Sequence, residues 1–185
     1  VFHNIAGFEE NRHLQNEFYG SAAMLIRAFE NLSFSVSTDG FYNNLQAKFD
    51  NQNLTQSFPL PVRKSLLTVV AAKFVNNHIL ATGSLLSTTV SESIKENENY
   101  KHYNRLSPYV SLSYKPFNTI DLRVRSFYKN IFRLPTFNDM YYSRVAKPNL
   151  KPETTNQFNI GFTFSQTLTK EMDGFSISTD FFKNQ

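Results

Sequence analysis

Alternation with a period of two, sustained over unusually long runs, constrains this chain more than any other feature. Ile120, Leu122 and Val124 fall on one side of a run whose other side carries Asp121, Arg123 and Arg125. Phe158, Ile160, Phe162 and Phe164 alternate in the same way with Asn159, Gly161, Thr163 and Ser165. Leu32, Phe34 and Val36 oppose Ser33, Ser35 and Ser37, and Phe175 and Ile177 oppose Ser176 and Ser178. An extended strand places successive side chains on opposite faces, so each run reads as a strand with one apolar face. Two runs, 65–75 and 79–90, are apolar on both sides, as Leu66, Val70 and Phe74 stand against Leu67, Val69 and Val75. Their outer side is left open by the sequence.

The pattern predicts eight strands at about 15–28, 32–45, 63–75, 79–92, 103–115, 119–130, 155–168 and 173–183. Strands of soluble proteins average roughly 5–6 residues. A tilted strand that crosses a membrane needs about 9–11. The predicted lengths therefore favour the wall of a barrel. The connections alternate between short ones (30–31, 76–77, 116–118, 170–173) and long ones (46–62, 92–102, 131–154). That order is expected of an all-β, antiparallel up-and-down meander with tight turns at one rim and long loops at the other, residues 1–14 belonging to a further long loop.

Composition removes other classes. The 185 residues include no Cys, which excludes disulfides, thiolate metal sites and a Cys nucleophile. The net charge of +4 is spread without a block of like charge, so no nucleic-acid partner is expected. His3, His13, His78 and His102 are scattered and form no close ligand pair. No GxSxG elbow, GxGxxG turn or phosphate loop occurs. No catalytic, cofactor-binding or metal residue is assigned, and the chain is not read as an enzyme.

The longest irregular segment is the most specific one. It runs Phe132-Arg133-Leu134-Pro135-Thr136-Phe137-Asn138-Asp139-Met140-Tyr141-Tyr142 and continues to Lys147-Pro148-Asn149-Leu150-Lys151-Pro152-Glu153. Its prolines cannot donate to a ladder, and Thr136 to Tyr141 is expected to form one helical turn. Loops of this length are mostly functional or disordered. Arg133, Phe137, Asn138, Asp139, Tyr141 and Tyr142 are the candidate outer-loop substrate contacts. The plainer reading is a loop that packs over a barrel mouth.

The FRLPTFNDMYY stretch followed by PNLKPETTNQFNIGF resembles the late barrel region of TonB-dependent outer-membrane receptors, over about Arg123 to Phe164. The match departs at Lys147, where the family often has Asn. The resemblance implies that residues 1–185 are a partial domain of a 22-stranded transmembrane β-barrel, with the plug domain, signal peptide and closing strand outside this sequence. It implies the outer membrane of a Gram-negative bacterium, and active uptake of a scarce nutrient such as an iron–siderophore complex or a corrinoid. The implied partners are outer-membrane lipid, the plug domain, TonB and the small-molecule nutrient. Arg133, Pro135, Asp139, Asn149, Leu150, Pro152 and Glu153 match the family pattern, as architectural residues or as substrate contacts. Asp121, Arg123, Arg125 and Glu153 are the candidate lumenal or plug-facing residues. Phe18, Tyr42, Phe74, Tyr114, Tyr128 and Phe158 are candidates for interfacial girdles.

The rival reading is a soluble β-sandwich that binds a carbohydrate-type ligand, which requires shorter strands and an apolar face buried between two sheets. As an isolated piece, a barrel wall leaves two open edges and is expected to self-associate or to curl into a smaller closed barrel.

Overall fold

The computed structural model of the chain describes residues 12–48, 58–94, 101–142, 150–166 and 174–185. They form one antiparallel sheet of eight strands in simple sequence order. The strands are β1 (Arg12–Phe29), β2 (Leu32–Lys48), β3 (Val62–Val75), β4 (Ile79–Ser93), β5 (Lys101–Tyr114), β6 (Asp121–Arg133), β7 (Glu153–Gln166) and β8 (Phe175–Asn184). All eight predicted strands are present. A sandwich needs two packed sheets, and these residues make one. The order runs from β1 to β8 without joining the two ends, so the smaller closed barrel is not the form adopted.

The largest differences from the expected boundaries fall at the long-loop end. β1 begins at Arg12, inside the expected 1–14 loop, and β2 runs on to Lys48. β6 extends to Arg133, which is therefore a strand residue. Residues such as Arg12, His13, Gln46 and Lys48 gave no alternation to read there, yet the ladder continues through them. The expected turn at 170–173 lies outside the described residues.

The register resolves the two ambiguous runs. Leu66, Val70 and Phe74 stand beside Gly40, Val36 and Leu32 on one side, and Thr89, Leu85 and Ala81 on the other. They therefore share the apolar face. Leu67 and Val69 stand beside Asp39 and Ser37 on the polar face. The apolar face is largely open: Phe18, Met24, Leu66, Val70, Leu106 and Val110 are each more than half exposed. From Leu66 to Phe74, or from Leu106 to Tyr114, the rise is roughly 19 Å at about 3.3 Å per residue and a tilt near 45°. That is close to the apolar band of about 25 Å on a membrane barrel.

All six candidate girdle aromatics lie on this face. Phe18 packs on Tyr42 (centroids 6.2 Å apart) and Tyr128 on Phe158 (4.9 Å) toward the long loops. Phe74 and Tyr114 lie near the short turns. There Asn76 organises the β3–β4 turn, its Oδ1 accepting the N–H groups of His78 (2.9 Å) and Ile79 (2.6 Å).

Two local features shape the wall. Gly161 stands between Arg125 on β6 and Asp180 on β8. A Cβ there would run into the Asp180 carboxylate, so glycine opens the lane across which Arg125 and Asp180 pair at 3.3 Å. Pro108 interrupts β5 on the side of β6. It has no N–H to donate, and the β5–β6 register stops beside it, at Tyr109 opposite Lys129. Ser107 Oγ and Asn130 Oδ1, flanking this break, are buried with no hydrogen-bond partner among the described residues.

The face assignment makes a direct prediction. In bilayer-reconstituted protein, Val110→Arg on the apolar face should cost about 2–4 kcal/mol of folding free energy. Ser111→Arg, one residue along on the polar face, should cost less than about 1 kcal/mol. Denaturant titration of both variants measures the contrast.

Candidate functional site

Most of the buried hydrophobic side chains among the described residues collect at one place, Val90 on β4 being apart from it. Leu45 and Ala47, on the polar face of β2, are covered by Phe58, Phe137 and Met140, with Leu60 and Tyr141 packed around them. The motif loop thus folds back onto the polar side of the wall at the long-loop end. Leu60 takes a left-handed conformation (φ 43°) beside this cluster. That conformation costs a β-carbon residue on the order of 1–3 kcal/mol, which burial against the cluster offsets.

Arg63 holds the loop down. It stands directly opposite Glu92 across β3 and β4. Its Nε donates to Glu92 Oε1 at 2.6 Å, and a terminal nitrogen lies 2.5 Å from the same oxygen. The other bond of that nitrogen goes to the Pro135 carbonyl at 2.7 Å, 72 residues away in sequence. The guanidinium also lies over the Phe137 ring, 4.9 Å from its centroid. The two charged side chains are only 14% and 15% exposed, so this pair is shielded from salt far better than a surface bridge. Sequence reading did not single out Arg63 or Glu92. Nothing local marks them, since their partner is supplied by another part of the chain.

The loop itself starts with a reciprocal cap. Thr136 N–H and Oγ1 both donate to Asp139 Oδ2, at 2.8 and 2.9 Å. Asp139 N–H donates back to Thr136 Oγ1 at 3.2 Å. This is a capping box, and the Thr-x-x-Asp spacing that encodes it was there to be read. The expected helical turn over 136–141 is a single π-turn, Asn138–Tyr142. The Thr136 backbone and hydroxyl hydrogen bonds hold the Asp139 carboxyl below its usual range, with a smaller contribution from Arg133. Burial raises the Tyr141 phenol above its usual value, and the Glu92 charge adds to the rise.

The candidate contacts thus have different surroundings. Phe137 is 5% exposed and belongs to the wall contact. Tyr141 is partly buried, its ring 6.1 Å from both Phe58 and Phe137. Arg133 is open and pairs with Asp139 at 3.7 Å. The side chain of Tyr142, and Pro148 and Asn149 of the second motif, lie outside the described residues. Pro152 immediately precedes β7, and Glu153 opens that strand opposite Arg133. Arg133, Asn138, Asp139, Leu150, Lys151 and Glu153, with Pro135, line a cleft of about 470 Å³. The two motifs therefore converge on one cleft of mixed charge.

Of the candidate lumenal residues, Glu153 thus sits at the rim, while Asp121, Arg123 and Arg125 lie lower on the polar face. Asp121 is bridged by Lys115 at 3.0 Å and Arg123 at 3.3 Å, while Arg125 reaches Ser178 at 3.1 Å and Asp180 at 3.3 Å. Among the described residues, no group of three or more His, Cys, Asp or Glu is placed to hold a metal ion.

Arg63→Ala should strand a shielded Glu92 and release the Pro135 carbonyl. The expected loss is roughly 3 kcal/mol, read as faster amide exchange across 135–142 with the central ladder unchanged. The Asp139 cap predicts a pH dependence. A carboxyl whose folded pKa is depressed stabilises above its unfolded value, and that stability is lost as pH falls through the folded value. Protection of the Thr136 amide should be full above about pH 5 and decline below about pH 4. Asp139→Asn should abolish that pH dependence.

Comparison with known proteins agrees with this architecture. The chain is similar in structure to a copper transporter, OprC, with a TM-score of 0.69 at 12% identity, over 84% of this chain and 28% of that one. It is also similar to the Serratia marcescens hemophore receptor HasR, solved as a double mutant with its hemophore HasA and heme. There the TM-score is 0.66 at 13% identity, over 95% of this chain and 33% of that one. At such identities the likeness concerns the fold, and the chain spans a third or less of either protein's length. No curated protein matches the sequence. The family described as "TonB dependent receptor-like, beta-barrel" matches residues 80–185, more than half of the chain and inclusive of both motifs. The chain belongs to the TonB-dependent receptor β-barrel family.

Proposed function

We propose that residues 1–185 form part of the barrel domain of a longer receptor in the outer membrane of a Gram-negative bacterium. The receptor binds a scarce nutrient at its long-loop end. It releases the nutrient inward when TonB rearranges a plug domain held inside the barrel. No covalent chemistry is involved. The observation that carries this reading is the division of labour between the two faces. One is apolar and open at its middle, while the other is polar and carries the latched motif loop at one rim. Outer-membrane lipid covers the first face, and the plug and the nutrient meet the second. Asp121, Arg123 and Arg125 face the plug in this reading. Without neighbouring strands, the free edges of β1 and β8 favour self-association of the isolated chain.

The nutrient is metal-bearing, with an iron–siderophore complex or a corrinoid as the cargo expected from the motif pair. The names of the two similar structures, a copper transporter and a hemophore receptor in complex with heme, support the broader class. Arg133, Asn138, Asp139 and Glu153 are the best placed contacts, because they line the open cleft. Phe137 and Tyr141 support them from the wall side, and Tyr142 completes the proposed set.

The test is uptake by cells whose only such receptor is the full parent protein, supplied in turn with a ferric siderophore, cobalamin, copper or heme. One of these cargoes should accumulate in a TonB-dependent manner. Arg133→Ala should lower its uptake roughly tenfold, the equivalent of one charge-assisted hydrogen bond. Unchanged binding and uptake of every cargo in that variant would remove the cleft from the pathway.

A further inference from the structure

Four side chains of the polar face stand in one row across β2 to β5: Asn43, Arg63, Glu92 and Lys101. The middle two are the pair that holds the motif loop down. Each of them also has an idle neighbour. Asn43 Oδ1 is buried and has no hydrogen-bond partner among the described residues, which calls for a reason. Its direct neighbours in register are Glu17 and Arg63, and of these Arg63 alone carries side-chain N–H groups. On the other side, Glu92 stands between two cations, and Arg63 is the one paired with it. The Lys101 ammonium makes no ion pair among the described residues.

Residues directly opposite on paired strands have β-carbons about 4.5–5.5 Å apart, within reach of a long charged side chain. Arg63 can therefore turn from Glu92 to Asn43 with the ladder in place, and Lys101 can replace it at Glu92. Room for the second move exists. Glu92 and Lys101 both line a cavity of about 10 Å³ against the loop, with Phe137, Met140 and Tyr141. That is about the space of a single water. The swap of partners costs the loop its anchors. The Pro135 carbonyl loses its donor, and Phe137 loses the guanidinium over its ring. A shielded carboxylate that keeps a cation in both arrangements avoids the large cost of an unpaired charge. The closed arrangement also buries Phe137 and Met140 against Leu45 and Ala47, so it is the major one.

We propose that Arg63 and Glu92 form a two-position latch that regulates the cleft. In the closed position Arg63 holds Glu92 and the Pro135 carbonyl. In the open position Arg63 donates to Asn43, Lys101 pairs with Glu92, and the loop is free to leave the wall. Pro135, Asn138 and Asp139 form the loop side of the cleft, so opening takes that side away from Arg133, Lys151 and Glu153. The effect on cargo rests on the reading above, in which the cleft holds the nutrient; the swap of partners does not depend on it. A cargo seated in the cleft holds the latch closed, and by the same linkage an open latch weakens its hold on the cargo.

Amide exchange across 136–142 is measured on the full parent receptor in phosphatidylcholine vesicles, without cargo. Lys101→Met and Asn43→Leu each remove an idle partner and keep the bulk of the side chain. Each should slow exchange at least about tenfold, the size of one charge-assisted hydrogen bond, with the ladder of β3 and β4 unchanged. Lys101→Arg keeps the cation and should keep the wild-type rate. A Lys101 that merely steadied the Glu92 charge under a closed loop would give the opposite sign, because its loss would speed exchange. Unchanged or faster exchange in Lys101→Met or in Asn43→Leu would overturn the proposal. If one of the two does not fold, the other decides. A ferric siderophore, cobalamin, copper and heme are then added in turn to wild type, and one of them should slow the same amides. If none does while the variants behave as stated, the failure falls on the cleft as the binding site and the latch stands.

Discussion

Each backbone N–H and C=O in a wall one strand thick must find its partner sideways, on a neighbouring strand, because no second layer exists to supply one. The rest of the structure follows from that obligation. With the backbone committed to the ladder, side chains are left with two faces and nothing between them. Among the described residues the one interior cluster is the patch that the motif loop covers. The sequence can only decide which solvent each face meets. Val36, Val70, Leu85 and Pro108 follow one another across four strands on one side. One residue along, Ser37, Val69, Leu86 and Ser107 occupy the other.

Strand number, order and face were legible because a period of two needs only local residues to be seen. Ile120 to Arg125 and Phe158 to Ser165 declared their faces outright. The runs at 65–75 and 79–90 did not, because Leu67, Val69 and Leu86 place apolar groups on the polar face. Only the register against Ser37 and Asp39 resolves them. The strand ends were less legible than the middles. Gln46, Ala47 and Lys48, beyond the expected end at 45, carry no clear alternation, so their strand character comes from the partners in β1.

The site was legible in part, and for a different reason. Its motif residues are contiguous, so Arg133 and Asp139 stood out as a pair of opposite charges beside a loop. The role of Asp139 as a cap follows from Thr136, three residues earlier, and needed only that spacing to be weighed. Arg63 and Glu92 could not be found in this way. Each is an ordinary charged residue on its own strand, and their shared task is defined by a carbonyl at Pro135. Two cations and two carboxylates around one cleft likewise come from separate stretches of chain, brought together where β6 ends and β7 begins.

The break beside Pro108 has a mechanical consequence. Everywhere else, adjacent strands are stitched along most of their length, but β5 and β6 share register only from Tyr109 to Tyr114. Their outer halves are secured instead to β4 and β7, each on its far side. Under lateral load, such a wall parts where the fewest stitches must be undone. Ser107 and Asn130 lose no side-chain bond from the atoms left unpartnered there. The seam therefore divides the segment into two stiffer panels, β1 to β5 and β6 to β8, hinged at the short-turn rim. The Arg63 latch holds the motif loop to the first panel, although the loop is spelled by residues that leave the second.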